Sequence, residues 1–373
     1  MSRGDVLAPR SLNRATLERQ LLLRRASLPA LTAVGQLVGL QAQVPLNPYV
    51  GLWARLGGFQ PEELAKLLVD RKVVRIVAMR STLHLLTADD ALLLRPLSQP
   101  VLDREMARHP DHGARLRRSD LDAAMSTAGA LLAERPRTGG ELRAALRDRF
   151  PDDDPAALAF ACRNRLALVQ VPPRGVWGRG GAVVNTTAEA WLGRPLVRDP
   201  PVADVVLRYL AASGPASPAD ATTWSGLTGM AEVFDRLRPG LRTFRDQSGR
   251  ELFDQPDAPR PDPDTPAPPR FLPEYDNVLL SHADRSRFGP DEERRRLWPP
   301  AQPYQGSVLC DGSLAGTWWI EHDRATARAV LTIRHLARLG PMATEAVATE
   351  GRELVRFLHG VDASPEVHLV PLS

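Results

Sequence analysis

The sequence predicts a mainly helical α+β protein: three tandem winged-helix units, then a small β-rich α+β domain. Three observations predict it. Three helices followed by two β-rich segments occur three times in the first 258 residues. A Pro/Asp-rich stretch, 255–269, then breaks the pattern. Beyond it, strand-like segments surround one amphipathic helix. A length of 373 residues suits several such units. No period of about 20–50 residues marks a solenoid.

The first unit, 1–110, opens with a helix that Ser11 or Asn13 can cap and that carries Leu17, Leu21 and Leu22. A second helix is expected over 29–41 and a third from Pro61 through Leu68. Residues 73–77 and 82–86 read as two β segments around Met79-Arg80-Ser81. In the second unit, 111–198, helices are expected over 121–133, around 141–146, and from Asp154-Pro155 to Arg165, with proline in the first turn of the last. Segments 168–171 and 182–184 flank a glycine-rich wing containing Trp177. The third unit, 199–258, has helices over 202–212, after the capping residue Ser217, and over 228–237. Its hairpin, 241–244 with 251–253, turns at Gln247-Ser248-Gly249. In the last domain, 259–373, strands 307–310 and 314–321 flank Asp311-Gly312, a strong hairpin signal. A strand over 329–333, an amphipathic helix over 342–358 and a strand over 367–370 follow.

Net charge is +4, and Lys66 and Lys72 are the only lysines, so arginine supplies nearly all positive charge. A GC-rich genome accounts for part of that bias. The planar guanidinium fork still suits phosphate, and the basicity permits nucleic-acid binding. Cys162 and Cys310 lie far apart without a CxxC spacing, which excludes a zinc finger and a disulfide framework. No apolar run approaches about 18 residues, and the N-terminus lacks an apolar leader, so a cytoplasmic protein is expected.

Walker A, HExxH and GxSxG signatures are absent. Gly175, Gly178, Gly180 and Gly181 read as a wing rather than a phosphate loop. Pro110 interrupts any helix that would align His109 with His112, so no metal site is expected. Asp154 and its acidic neighbours suit a helix start. His282 reads either as a functional histidine or as one held in a hydrogen-bonded loop. Arg71, Lys72, Arg75 and Arg80 cluster at the first hairpin, where a wing would meet a phosphate backbone; a solvated surface is the other reading. Arg14, Arg19, Arg24 and Arg25 lie along or just after the first helix, and Arg285, Arg287 and Arg294–Arg296 form a basic run. Gln41-Ala42-Gln43 ends an apolar helix ahead of Pro45 and Pro48. Its amides could simply bond the orphan carbonyls of a helix end.

The elements GLQAQ (39–43), NPYVGLWARL (47–56), MRSTLHLL (79–86), LPEYDNVLLSHADR (272–285) and VLCDGSLAGTW (308–318) resemble the HTH_42 superfamily, the winged-helix DNA glycosylases of AlkZ and AlkX (YcaQ-like) type. The resemblance covers almost the whole chain. Its most specific element is Gln-x-Gln, which places the chain nearer the AlkZ branch than the Gln-x-Asp branch. It implies three winged helices in a C-shaped basic channel. It also implies monofunctional cleavage of the N-glycosidic bond of N7-alkylated guanine, with bulky adducts or interstrand crosslinks from natural-product alkylating agents as substrates in repair and antibiotic self-resistance. Gln41 and Gln43 become the expected catalytic residues. Arg71, Lys72, Arg75, Arg80, Thr82, His84, Arg285 and Arg287 become the expected DNA contacts. No metal or cofactor is expected. The expected partner is double-stranded DNA containing alkylated guanine, bound by a monomer away from membranes.

The chemistry suits neutral amides. N7 alkylation makes the guanine cationic and already a good leaving group. What remains is to place a water near C1′ and stabilise an oxocarbenium-like sugar, which amide oxygens can do. Most glycosylases flip the base into a pocket, whereas a crosslinked guanine suits an open channel. The alternative class is a non-enzymatic winged-helix DNA-binding protein or transcriptional regulator.

Overall fold

The computed structural model describes residues 5–299, 304–323, 328–336, 339–360 and 364–372. The first unit runs β1 (Val6–Leu7), α1 (Pro9–Arg19), α2 (Ala30–Gln36), β2 (Leu40–Gln41), α3 (Asn47–Arg55), α4 (Pro61–Val69), β3 (Val73–Val77) and β4 (Leu83–Thr87). Helices α5 (Ala88–Leu97), α6 (Gln99–Arg108) and α7 (Gly113–Leu116) lead on to α8 (Leu121–Glu134), β5 (Arg137–Thr138), α9 (Gly139–Arg149), α10 (Pro155–Arg165), β6 (Leu168–Gln170), β7 (Val184–Thr187) and α11 (Ala188–Leu192). Then come α12 (Val202–Ser213), α13 (Pro218–Ser225), α14 (Met230–Leu237), β8 (Arg242–Asp246) and β9 (Glu251–Asp254). The remainder holds β10 (Arg270–Leu272), α15 (Asp291–Leu297), β11 (Gly306–Cys310), β12 (Ser313–Asp323), β13 (Arg328–His335), α16 (Pro341–His359) and β14 (Ser364–Pro371).

Local chemistry explains most of these boundaries. Thr138 with Glu141 and Ser217 with Asp220 form capping boxes, and Asp154 accepts from the amides of Ala156 and Ala157. Helix α1 starts earlier than expected, after Ala8. Asn13 does not cap it; its buried amide donates to the carbonyls of Arg287 and Gly312. The expected helix over 29–41 stops at Gln36. Val38 (φ +55°) and Gly39 (φ +90°) turn the chain, and the Gly39 amide donates back to the Val34 carbonyl. Helix α3 had no expectation, because its Tyr, Val and Trp are weak helix formers. All nine of its residues are buried, so packing decides its conformation. Strand β7 begins two residues later than the segment expected from 182.

Strand pairing joins the first two units. One six-stranded sheet has the order β2-β4-β3-β6-β7-β5, with Arg75 opposite Gln170 and Ile76 opposite Val169. A second sheet, β1-β8-β9, draws the N-terminal strand onto the third hairpin. The third, β10-β11-β12-β13-β14, closes with a parallel pair, for which α16 is the crossover.

The cores cut across the expected domain boundaries. Leu52 and Leu85 share one core with Phe271, Leu331 and Val355, so the first unit and the last domain pack as one body. Ile76 and Leu86 pack instead with Tyr209 and Phe234 of the third unit. Leu132, Leu146 and Leu158 form a separate core between α8, α9 and α10.

Both expected wings are packed. In the first, the Met79–Ser81 turn is fastened on three sides: Arg80 donates to the Trp224 carbonyl (2.5 Å), Arg163 to the Ser81 carbonyl (2.8 Å), and the Ser81 hydroxyl meets Glu105. In the second, the Tyr49 hydroxyl donates to the Gly175 carbonyl (2.8 Å) and accepts from the Trp177 amide (3.0 Å).

Buried ion pairs hold distant segments together. Arg55 meets Asp276 through two bonds of 2.7 and 2.8 Å, with both side chains almost fully buried. Arg19 meets Asp254 in the same way. Removing one partner strands a charge in the interior. Asp276→Ala is therefore expected to cost about 3–5 kcal/mol in denaturant unfolding. A loss below about 1 kcal/mol, the range of an exposed pair, contradicts this placement.

Candidate active site

The Gln41-Ala42-Gln43 motif begins on β2, the edge strand of the six-stranded sheet, and leaves it after Gln41. Leu40 pairs with Leu85 and Gln41 with His84, and the Ala42 amide donates to the Leu83 carbonyl (2.8 Å). Gly39 makes this docking feasible. A Cβ there would fall 2.3 Å from Leu86 Cδ2 and 3.0 Å from the Leu85 carbonyl oxygen. Residues i and i+2 cannot share a face of a helix, and here the helix has already ended. Gln41 is the last residue of β2 and only 7% exposed, Ala42 is fully buried, and Gln43 lies exposed at the bend that follows.

Arg80 organises the groups around Gln41. Its Nη2 donates to Gln41 Oε1 (3.2 Å) and Asn277 Oδ1 (3.3 Å) and lies 3.4 Å from His84 Nε2. Its backbone sits at φ +54° and that of Ser81 at φ +59°, so the turn holds two successive left-handed residues. Burial first, then the charge of Arg285, lowers the Arg80 pKa to about 10, which leaves it a cation at neutral pH. Burial, with the Arg80 charge second, pushes His84 down to about 3. His84 is therefore a neutral imidazole. Its Nδ1–H donates to the Thr82 carbonyl (2.9 Å) and its Nε2 lone pair faces Arg80. Gln41, Asn277, Arg80 and His84 thus bring together two amide dipoles, one cation and a neutral imidazole.

The expected DNA contacts divide. Arg80 and Arg285 come within electrostatic range of each other, and both are half-buried. Arg71 and Lys72 are exposed but line a separate cavity of about 670 Å³ with Trp191 and Arg194; the Arg71 guanidinium stacks on Trp191. Three expectations are corrected by burial. Arg75 is 1% exposed and donates to the Ala42 carbonyl (2.8 Å), bracing the motif from behind. Arg287 is bound to the Thr16 hydroxyl and the Pro215 carbonyl in the interior. His84 is fully buried. None of these three can meet a phosphate. Thr82 donates to the Met79 carbonyl and shapes the turn.

Asn277 was missed as an individual, although its segment was noted. Its Nδ2 donates to the Gly39 carbonyl (3.1 Å), so one amide ties the strand entry to Arg80. No sequence signal marks an asparagine for that task. His282 belongs to a hydrogen-bonded loop, with its Nε2 on the Ser213 carbonyl. His109 and His112 stack on each other and lie tilted against Phe160, and no metal-binding cluster occurs among the described residues.

The buried histidines give a pH test. Their folded pKa values of about 3 lie below the ordinary 6.5, so below 6.5 the unfolded chain binds protons that the folded chain does not. That stability is full above pH 6.5 and falls as the pH drops towards 3. Urea melts between pH 6.5 and 4.5 should lose about 1.4 kcal/mol per pH unit for each histidine. His84→Gln should flatten the slope by one proton; a slope equal to wild type contradicts the neutral, buried imidazole.

The family model described as DNA glycosylase AlkZ-like matches residues 34–357. No curated protein matches the sequence. Among solved structures, the Streptomyces sahachiroi DNA glycosylase AlkZ superposes with a TM-score of 0.76 at 20% identity, covering 98% of this chain and 100% of that one. That likeness speaks for the fold. With the family model spanning most of the sequence, the chain belongs to the AlkZ-like DNA glycosylase family.

Proposed function

We propose that this protein is a monofunctional glycosylase that hydrolyses the N-glycosidic bond of N7-alkylated guanine in double-stranded DNA. The reading extends to bulky adducts or crosslinks left by natural-product alkylating agents, and to repair that protects a producer from its own antibiotic. In it the units 1–110, 111–198 and 199–258 are winged helices that, with 259–373, surround the duplex as a monomer, and Arg80 and Arg285 lie beside the lesion.

The observation that carries the reading is the pair of motif amides at the sheet edge: Gln41 at the end of β2, bonded to Arg80 beside a neutral histidine, and Gln43 exposed at the bend just beyond. An N7-alkylated guanine needs no acid to depart. Water oxygen bonds to C1′, the C1′–N9 electron pair passes to the purine and cancels its positive charge, and the water releases one proton to solvent. The products are a neutral alkylguanine and an abasic sugar. Two fixed amides suffice to place the water and orient the sugar, because preorganised dipoles need not rearrange during the reaction.

Single-turnover excision of an N7-guanine monoadduct of a nitrogen mustard from a duplex tests this. Gln43→Ala should lower the rate by about 10²–10³, the range for loss of one preorganised polar group. Its melting temperature should change little, since Gln43 is exposed. Wild-type excision with a lowered melting temperature would make the motif structural.

A further inference from the structure

Amide oxygen and nitrogen are often interchangeable in position, but Gln41 has no such freedom. The atom 3.2 Å from Arg80 Nη2 must be an acceptor, because a guanidinium only donates. The surroundings enforce the arrangement. Arg80 Nη1 is anchored on the Trp224 carbonyl. Asn277 is held by the Gly39 carbonyl and His84 by the Thr82 carbonyl, so neither can turn a donor aside to make room. Flipping the Gln41 amide would press an NH₂ group against a cation. With its oxygen on Arg80, the carboxamide turns Nε2 away from the guanidinium, where no hydrogen bond within the described residues holds it.

We propose that Arg80 is a positioning residue that presents Gln41 to the DNA as a hydrogen-bond donor, leaving Gln43 as the acceptor that holds the water. The proposal rests on the glycosylase reading and divides the two roles within it. It revises the expectation that both amide oxygens face the substrate. A donor suits the departing base: the C1′–N9 electron pair flows into the purine ring and enriches its acceptor atoms as the bond breaks. Arg80 polarises the Gln41 amide and strengthens its N–H donors in that direction. Gln43 is exposed and makes no hydrogen bond within the described residues, so its oxygen is free for water.

The test compares Q41E, Q43E, R80K and R80M with wild type on a duplex bearing one nitrogen-mustard monoadduct at guanine N7, in single turnovers from pH 5.5 to 8.5. Q41E keeps an oxygen for Arg80 but has no N–H, and should lose about 10²-fold in rate. The loss should be flat with pH, because a carboxylate paired with Arg80 stays ionised. Q43E keeps its acceptor and should exceed Q41E. R80M should lower the rate at saturating protein, and R80K, which still donates, should restore part of it. Thermal melts read the contact apart from catalysis: in the cycle of wild type, Q41E, R80M and R80M/Q41E the carboxylate and the guanidinium should be coupled, so that Q41E is tolerated better with Arg80 than without it. Q41E that outpaces Q43E, or a cycle that shows no coupling, overturns the proposal. Wild-type protein that leaves the adduct in place overturns the glycosylase reading, and the donor role falls with it, while the melts still judge the Arg80–Gln41 contact.

Discussion

Arg55 and Asp276 form an ion pair that neither side chain shares with solvent, and the arrangement of the site depends on it. Arg55 ends α3, and Asp276 lies in the segment that follows β10, more than 200 residues away. The two parallel bonds fix that segment against the first unit. Asn277, the next residue, can then reach both the Gly39 carbonyl and Arg80. Desolvating two charges is costly, so such a pair serves to select one docking geometry rather than to add much net stability. Arg19–Asp254 does the same for α1 and the third hairpin. A minority of the arginines, Arg19, Arg55 and Arg75 among them, is thus internal fastening, and the basic composition overstates the charge on the surface.

The fastening has a chemical consequence. Arg75 and Arg80 approach the Gln41–Gln43 segment from two sides, one at the Ala42 carbonyl and the other at the Gln41 side chain. Burial keeps His84 neutral and places the Arg80 cation where it can orient an amide. The site is built to hold dipoles still. That fits a reaction whose leaving group arrives already charged and needs positioning more than proton transfer.

The helix–helix–helix–hairpin order of the second and third units was legible because it rests on local signals, the Asp154-Pro155 start and the Ser217 cap, and the last domain's hairpin was legible from its Asp311-Gly312 turn. The site was legible as a motif and not as a geometry. GLQAQ reads as a helix end because its apolar spacing continues from α2. Only the left-handed Val38 and Gly39, and an open edge on β4, turn Leu40-Gln41 into a strand. Arg75 and Arg80 look alike in sequence, yet Arg75 lies on β3, buried on both faces between β4 and β6, while Arg80 lies in the turn beyond it and stays half-exposed. Asn277 could not be picked out because its role depends on Asp276 meeting Arg55 across the chain, a contact with no local trace.

The central claim is that the protein breaks one glycosidic bond and leaves the backbone intact. Mass spectrometry of the small molecules released from a duplex with one N7-alkylated guanine, with the strand resolved before and after alkali, measures this directly. The expected result is release of the intact alkylguanine and a strand that stays whole until alkali cleaves it at the lesion. A duplex that is bound but releases no base, or a strand cut before alkali, would contradict it.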